Sequence, residues 1–167
     1  MRIIYNAVSC LLLLLSLTGA AHANEHEKMG HILLEISGKG VDGTVQFDLA
    51  KIESLSLNSI TTPVPWSDKV STYEGVYLDD ILASVGVTDF DSLDLIALNG
   101  YAINISKKDS KKKKYILAIK MDGKSIPVRK KGPITLLFDL TGMSSEELYF
   151  IDTNYSLVWF LNRIIVQ

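Results

Sequence analysis

Residues 73–101 read YEGVYLDDILASVGVTDFDSLDLIALNGY, and this stretch decides the fold class. It opens on Tyr73, Glu74 and Gly75. Leu78, Ile81 and Leu82 then recur at helical spacing, and Gly86 is placed to stop that helix. The apolar run Leu93–Leu98 reads as a strand, and Asn99-Gly100 turns the chain into Tyr101. Asn-Gly between strand-like runs is the strongest local hairpin signal. The stretch therefore predicts strand, helix and hairpin, without naming any chemistry.

The same reading extends upstream. Residues His31–Ile36 predict a first strand, Gly38–Gly43 a glycine-rich turn and Thr44–Phe47 a second strand. Asp48 can cap a short helix through Leu55, with Leu49, Ile52 and Leu55 on one face. Ser56–Thr62 is β-like, and the prolines of Pro63–Trp66 exclude helix, which predicts a loop carrying a large aromatic.

Downstream, Tyr101–Ile105 is the return strand and Ser106–Lys114 a very polar loop. Tyr115–Met121, Lys124–Val128 and Pro133–Leu140 predict strands, with a tight turn at Asp122-Gly123. Ser144–Glu147 has the look of a helix start with acids in its first turn. Tyr155–Asn162 holds the last aromatics, and Arg163–Val166 is expected to close the sheet. There is no internal repeat and no linker, so the expectation is one mixed, strand-rich α+β domain with short helices.

Residues 1–23 carry the features of a cleaved secretory signal: Arg2, the leucine-rich run Ala7–Leu17, and the A-x-A site Ala21-His22-Ala23. The mature protein, residues 24–167, is then expected in the periplasm. There is no twin-arginine pair, which points to export in the unfolded state. The single cysteine, Cys10, lies before the leucine run, so the mature chain has no thiol and no disulfide. Packing alone must stabilise it.

The chain holds 17 Lys and Arg against 19 Asp and Glu. This balance excludes a generic nucleic-acid binder, yet the basic residues crowd into Lys107–Lys131. Catalytic signatures are missing. His26 and His31 are the only histidines after the signal, no serine sits in a G-x-S-x-G elbow, and no phosphate loop occurs. Asp89, Asp91 and Asp94 lie close in sequence without EF-hand spacing and read as a solvated loop.

Taken in order, EGVYLDDIL, LIALNGY, ILAIKMDGKSIP, KGPITLLF and WFLNRIIV resemble the molybdopterin-binding domain of the sulfite oxidase family, over roughly residues 32 to 166. The resemblance implies that fold. Family enzymes hold molybdenum through a cysteine thiolate about a dozen residues before the glycine matching Gly75. Here that neighbourhood is Thr61, Thr62 and Pro63, which implies the fold without the metal, and no molybdenum catalysis.

A pterin is a flat, electron-poor bicycle for which an aromatic plate is worth about 1–3 kcal/mol by analogy with base stacking. Its amino and ring N–H edge suits a carboxylate, and its carbonyl a donor such as Arg or Asn. The family pattern implies such groups at Trp66, Tyr73, Glu74, Asn99, Tyr101, Arg129, Asp139 and Trp159. Trp159 is equally a core residue between Val158 and Phe160, and turn geometry alone explains Asn99. Asp139 follows an apolar run that seldom ends in an acid lacking a partner.

Lys107, Lys108, Lys111, Lys112, Lys113 and Lys114 are either a solvated surface or a docking patch for an acidic partner or an anionic membrane. Small, periplasmic, cysteine-free members of this fold resemble the pterin-binding regulators of the PruR type. That resemblance implies a non-enzymatic sensor of reduced pterins, acting on the periplasmic domain of a membrane-bound enzyme of cyclic-di-GMP turnover. The alternatives are a molybdopterin oxidoreductase or its degenerate relative, and an interaction domain with no ligand.

Overall fold

The computed structural model describes residues 30–153 and 156–167, so the signal segment, its cysteine, His26 and Tyr155 lie outside the described residues. β1 (Leu34–Gly38) begins and ends slightly later than the sequence suggests. It pairs antiparallel with β2 (Thr44–Phe47), which has the expected bounds. Asp48 then caps α1 (Leu49–Glu53) by accepting the Lys51 N–H at 2.8 Å. The helix ends before Leu55 and buries only Ile52, so the three-residue apolar face is not formed.

β3 (Asn58–Val64) and β4 (Ser67–Tyr77) form a hairpin whose turn is only Pro65-Trp66. Pro63, expected in a loop, is inside β3 where the register shifts between Thr62 and Val64. Proline has no N–H to give a ladder, and an irregularity of this kind is where a strand tolerates it. β4 runs 11 residues into α2 (Leu78–Ser84), whose Leu78, Ile81 and Leu82 are buried as their spacing predicts. Gly75 is needed by close approach: a Cβ there would stand 1.9 Å from Leu117 O on the neighbouring strand.

β5 (Ser92–Ala97) and β6 (Ala102–Ser106) are the predicted hairpin, with Gly100 at φ 84° in its turn. The polar segment after it is no loop but the helix α3 (Lys107–Lys113). β7 (Ile116–Met121) follows, then β8 (Lys124–Ser125), which is shorter than predicted because Val128–Lys130 forms a 3-10 turn. β9 (Thr135–Leu137) is the core of the predicted Pro133–Leu140 strand. α4 (Ser145–Thr153), β10 (Val158–Trp159) and β11 (Leu161–Val166) complete the chain.

The strands form two sheets. The first has the order β2-β1-β11-β5-β6, and the second β10-β9-β7-β4-β3 with β8 also on β7. β11, expected to close a sheet, is instead the central strand of the first, parallel to β1 and antiparallel to β5. Its buried Leu161, Ile164 and Val166 join Leu34, Ile36 and Leu95 in one core with Val76, Leu117, Leu136 and Val158 of the second sheet. Full burial of such a side chain stabilises by about 1.5–3 kcal/mol, so the core can serve a cysteine-free domain. The α+β, strand-rich class read from the sequence is the fold observed.

The second sheet curls until its two ends meet. Thr62 on β3 is fully buried, and its hydroxyl accepts the Leu140 N–H at 2.7 Å. The Thr141 hydroxyl donates to Thr61 O at 3.2 Å. Further along, Trp66 beyond β3 meets Trp159 on β10 with ring centroids 5.2 Å apart. These contacts make a seam between strands that are not neighbours in the sheet order.

Candidate functional site

The far end of the seam is a corner where both sheets contribute. Trp66 projects from the tight turn that Pro65 helps fix, and Trp159 from β10. Their rings meet edge to face at 80°, a favoured aromatic geometry. The Lys131 ammonium lies 3.0 Å from the Trp159 ring centroid and 5.2 Å from that of Trp66. Such a cation is attracted to the negative face of an indole, by about 0.5–2 kcal/mol according to its solvation. The Trp159 Nε1–H is buried and has no acceptor among the described residues.

Backbone hydrogen bonds assemble the remaining parts. Lys131 N–H donates to Val128 O at 2.9 Å, which closes the 3-10 turn holding Arg129. Phe160 N–H reaches Lys131 O at 3.3 Å, and Leu98 N–H reaches Phe160 O at 2.9 Å. The last bond brings in the β5–β6 turn with Asn99 and Tyr101. Phe160 has φ 58°, uncommon for a residue with a Cβ, and it is here that the chain passes from the second sheet into the first.

Of the residues expected at a pterin site, Trp66 and Trp159 meet directly, and the backbone bonds bring the turns that carry Arg129, Asn99 and Tyr101 towards them. Asn99 also serves its turn, since its side-chain oxygen accepts the Tyr101 N–H at 3.1 Å. The other three do not join them. Tyr73 is 3% exposed in the core, and burial, with Asp122 adding to it, raises its phenol pKa. Glu74 pairs in register with Ser59 and Lys120. It is seven residues along β4 from Ser67, roughly 20 Å at about 3.3 Å per residue.

Asp139, an exposed residue, finds the partner that its apolar approach demanded within its own turn. Its carboxylate accepts the Thr141 N–H at 2.9 Å in the turn that locks the seam. The Thr141 hydroxyl and N–H hold it below the usual carboxylate range. Lys131 is the residue the sequence reading did not single out. Its place in the run Arg129-Lys130-Lys131 before Gly132-Pro133 disguised it as one more surface charge.

The residues standing where the sequence resemblance implies a thiolate do not fit a molybdenum centre. Thr61 and Thr62 offer hydroxyls, which lack a thiolate's charge and softness. The Thr62 hydroxyl is committed twice, accepting from Leu140 N and donating to Pro63 O at 3.2 Å. Thr61 Oγ1 is 2.9 Å from Thr72 Oγ1. Among the described residues no group of three or more His, Cys, Asp or Glu converges as metal ligands would.

Neither of two cavities is lined by Trp66, Lys131 or Trp159. One, of about 550 Å³, is bounded by Leu33, Leu49, Ile119, Ile126 and Pro133 with Asp48 at its edge. The other, of about 260 Å³, lies among Tyr77, Asp79, Asp80, Lys114 and Tyr115. Asp48 is held low by the Lys51 and Gly30 N–H groups and is occupied as a cap.

The lysine run lies at the surface, and several of its members have partners within the domain. Ser106 caps α3 by accepting the Asp109 N–H at 3.1 Å, while its own hydroxyl donates to the Asp109 carboxylate at 2.7 Å. Lys107 pairs with Asp89, and Lys111 with Asp79 at 3.0 Å. Lys113 donates to Ser156 Oγ at 2.9 Å, its ammonium 5.1 Å from the Phe138 ring centroid, and burial lowers its pKa. Lys114 stands 4.3 Å over the Tyr77 ring. Lys108 and Lys112 are left exposed.

No family model matches the chain, and no curated protein matches it. Among solved structures it is similar to the sulfane dehydrogenase SoxCD from Paracoccus pantotrophus, with a TM-score of 0.58 at 15% identity. The match covers 80% of this chain and 37% of that one, so the chain spans little more than a third of its neighbour. SoxCD has the sulfite oxidase-like molybdopterin fold, and at this identity the likeness concerns the fold.

Proposed function

We propose that the protein is a non-enzymatic pterin-binding sensor of the PruR type, acting in the periplasm on a membrane-bound enzyme of cyclic-di-GMP turnover by protein contact. The observation that carries this reading is the Trp66–Lys131–Trp159 cluster in a domain of molybdopterin-binding fold. Two indoles, one unpartnered indole N–H and adjacent cationic donors suit a flat, electron-poor heterocycle with a carbonyl edge. Arg129, two residues before Lys131, and Asn99, in the turn that Leu98 joins to Phe160, are the candidates for further donors. A pterin stacked on Trp159 takes the face that Lys131 covers, so the ammonium must move to the rim, where it can meet the ligand's carbonyl.

The rival reading, a molybdopterin oxidoreductase, has the structural neighbour's name in its favour and the committed Thr62 hydroxyl against it. A metal-free sensor needs no ligand at that position.

The test is titration of the mature protein with a tetrahydropterin, followed through tryptophan fluorescence. Binding should quench emission, and Trp66→Phe and Trp159→Phe should each remove part of the quenching. Ala at a true stacking position should weaken affinity by about 1–3 kcal/mol with the circular dichroism unchanged. If neither Phe variant alters quenching or affinity, the pterin site is not at this corner.

A further inference from the structure

The edge of the tryptophan corner carries apolar side chains that the fold does not use. Leu98, in the β5–β6 turn, is 61% exposed, and Val128, in the 3-10 turn, is 66% exposed. They belong to one region, because Leu98 is joined to Phe160, Phe160 to Lys131 and Lys131 to Val128 by consecutive backbone hydrogen bonds. Between them runs Arg129-Lys130-Lys131. From Ile126 to Phe138 the chain has no acidic residue, and neither has the turn segment Ala97–Ser106. Arg129 and Lys130 are exposed and make no ion pair with a described residue.

We infer that this rim, Leu98, Val128 and Lys130 beside Arg129, is the docking surface for an acidic protein segment that also presents an apolar side chain. The charge argues for an acidic partner, and α3 supplies the contrast. Three of its lysines, and Lys114 at its C-cap, have partners within the domain, whereas Arg129 and Lys130 on the rim make no ion pair with a described residue. The mixture of cations with isolated aliphatic tips favours a protein over a lipid surface. Recognition of anionic membranes typically takes about four to eight clustered cations, more than this rim holds. Exposed cations would set the encounter rate, and the aliphatic contacts would slow dissociation. The inference rests on the part of the proposed function that gives the domain a protein partner, and it is independent of the pterin.

The experiment uses a blocked twelve-residue peptide alternating Glu with Leu, a second with Gln in place of Glu, and phosphatidylglycerol vesicles, each titrated calorimetrically into the mature protein. The Glu–Leu peptide should bind, weaken with added salt and lose at least tenfold in affinity in Val128→Ser/Lys130→Glu. It should bind normally to Lys111→Gln/Lys112→Gln. Leu98→Ser provides a milder variant if the double one folds poorly.

Absence of binding, binding of the Gln peptide as tightly as the Glu peptide, an affinity indifferent to the rim variants, or vesicle binding that depends on the rim would each overturn the proposal. The tetrahydropterin titration on Val128→Ser/Lys130→Glu keeps the two readings apart. Normal quenching with lost peptide binding separates the docking rim from the ligand site. Lost quenching in the wild type with normal peptide binding removes the pterin and keeps the rim.

Discussion

Helix α3 and the tryptophan corner are both rich in cations, and they use them in opposite ways. In α3 the positive charges are spent on the domain itself: Lys107 on Asp89, Lys111 on Asp79, Lys113 on Ser156 and the Phe138 ring, Lys114 on Tyr77. At the corner Lys131 lies on two half-buried indoles, and its neighbours Arg129 and Lys130 face water. A run of like charge in a sequence therefore says little about binding until the groups opposing it are known. The denser run proved to be the one with more partners inside its own domain.

The sharpest way to break this contrast is to loosen the seam beneath the corner. Thr62→Val keeps the shape of the side chain and removes the acceptor of the Leu140 N–H. Leaving a buried donor unpaired costs about 1–3 kcal/mol, which chemical denaturation would register as a lowered midpoint. Because the seam also holds Trp66 against Trp159, tryptophan emission of the folded variant should shift towards that of exposed indole. Unchanged stability and emission would mean that the corner does not depend on the seam, and that its geometry is set by the β3–β4 turn alone.

How much of this was legible beforehand follows from the range of the interactions. The Asn99-Gly100 hairpin, β2 and the Leu78–Ile81–Leu82 face are local, and period and turn chemistry announced them. Helix α3 was misread because it lacks an apolar stripe. Its signal was present in Ser106-Lys107-Lys108-Asp109, the spacing of a reciprocal cap. The central position of β11 and the Trp66–Trp159 contact join segments far apart in the chain, and no local pattern encodes them. Asp139 shows the limit of residue-type reasoning. A partner was rightly expected, and the structure supplies one within the domain, the Thr141 backbone N–H.

A smaller effect should come from Lys131. Replacing it with Met keeps the aliphatic stem over the indoles and deletes the ammonium, with an expected loss of about 0.5–1 kcal/mol in stability. Tetrahydropterin affinity then separates two roles. If the ammonium only covers the Trp159 face, removing it spares the ligand a displacement and affinity rises. If it also meets the ligand's carbonyl, affinity falls despite the cleared face. No change in either stability or affinity would leave the corner with no more use for its cation than α3 has for Lys112.

The smallest effects belong to α3. Lys111→Gln breaks an exposed pair, and such pairs contribute under about 1 kcal/mol, so its denaturation midpoint should hardly move. Lys107→Gln is better tested by pH. The Lys107 ammonium holds the Asp89 carboxyl below its ordinary value of 3.8. A depressed carboxyl stabilises the fold above its unfolded pKa, and that contribution is lost as pH falls through the lower folded value. Wild type and Lys107→Gln should therefore differ slightly at pH 6 and converge as the medium is acidified below pH 3.8. High salt should shrink the difference at pH 6, because both groups are exposed to solvent. A gap that widened in acid, or that withstood molar salt, would show Lys107 supporting α3 by packing rather than by charge. The contrast between a lysine run partnered within its own domain and an outward-facing corner would then have to rest on Lys111, Lys113 and Lys114.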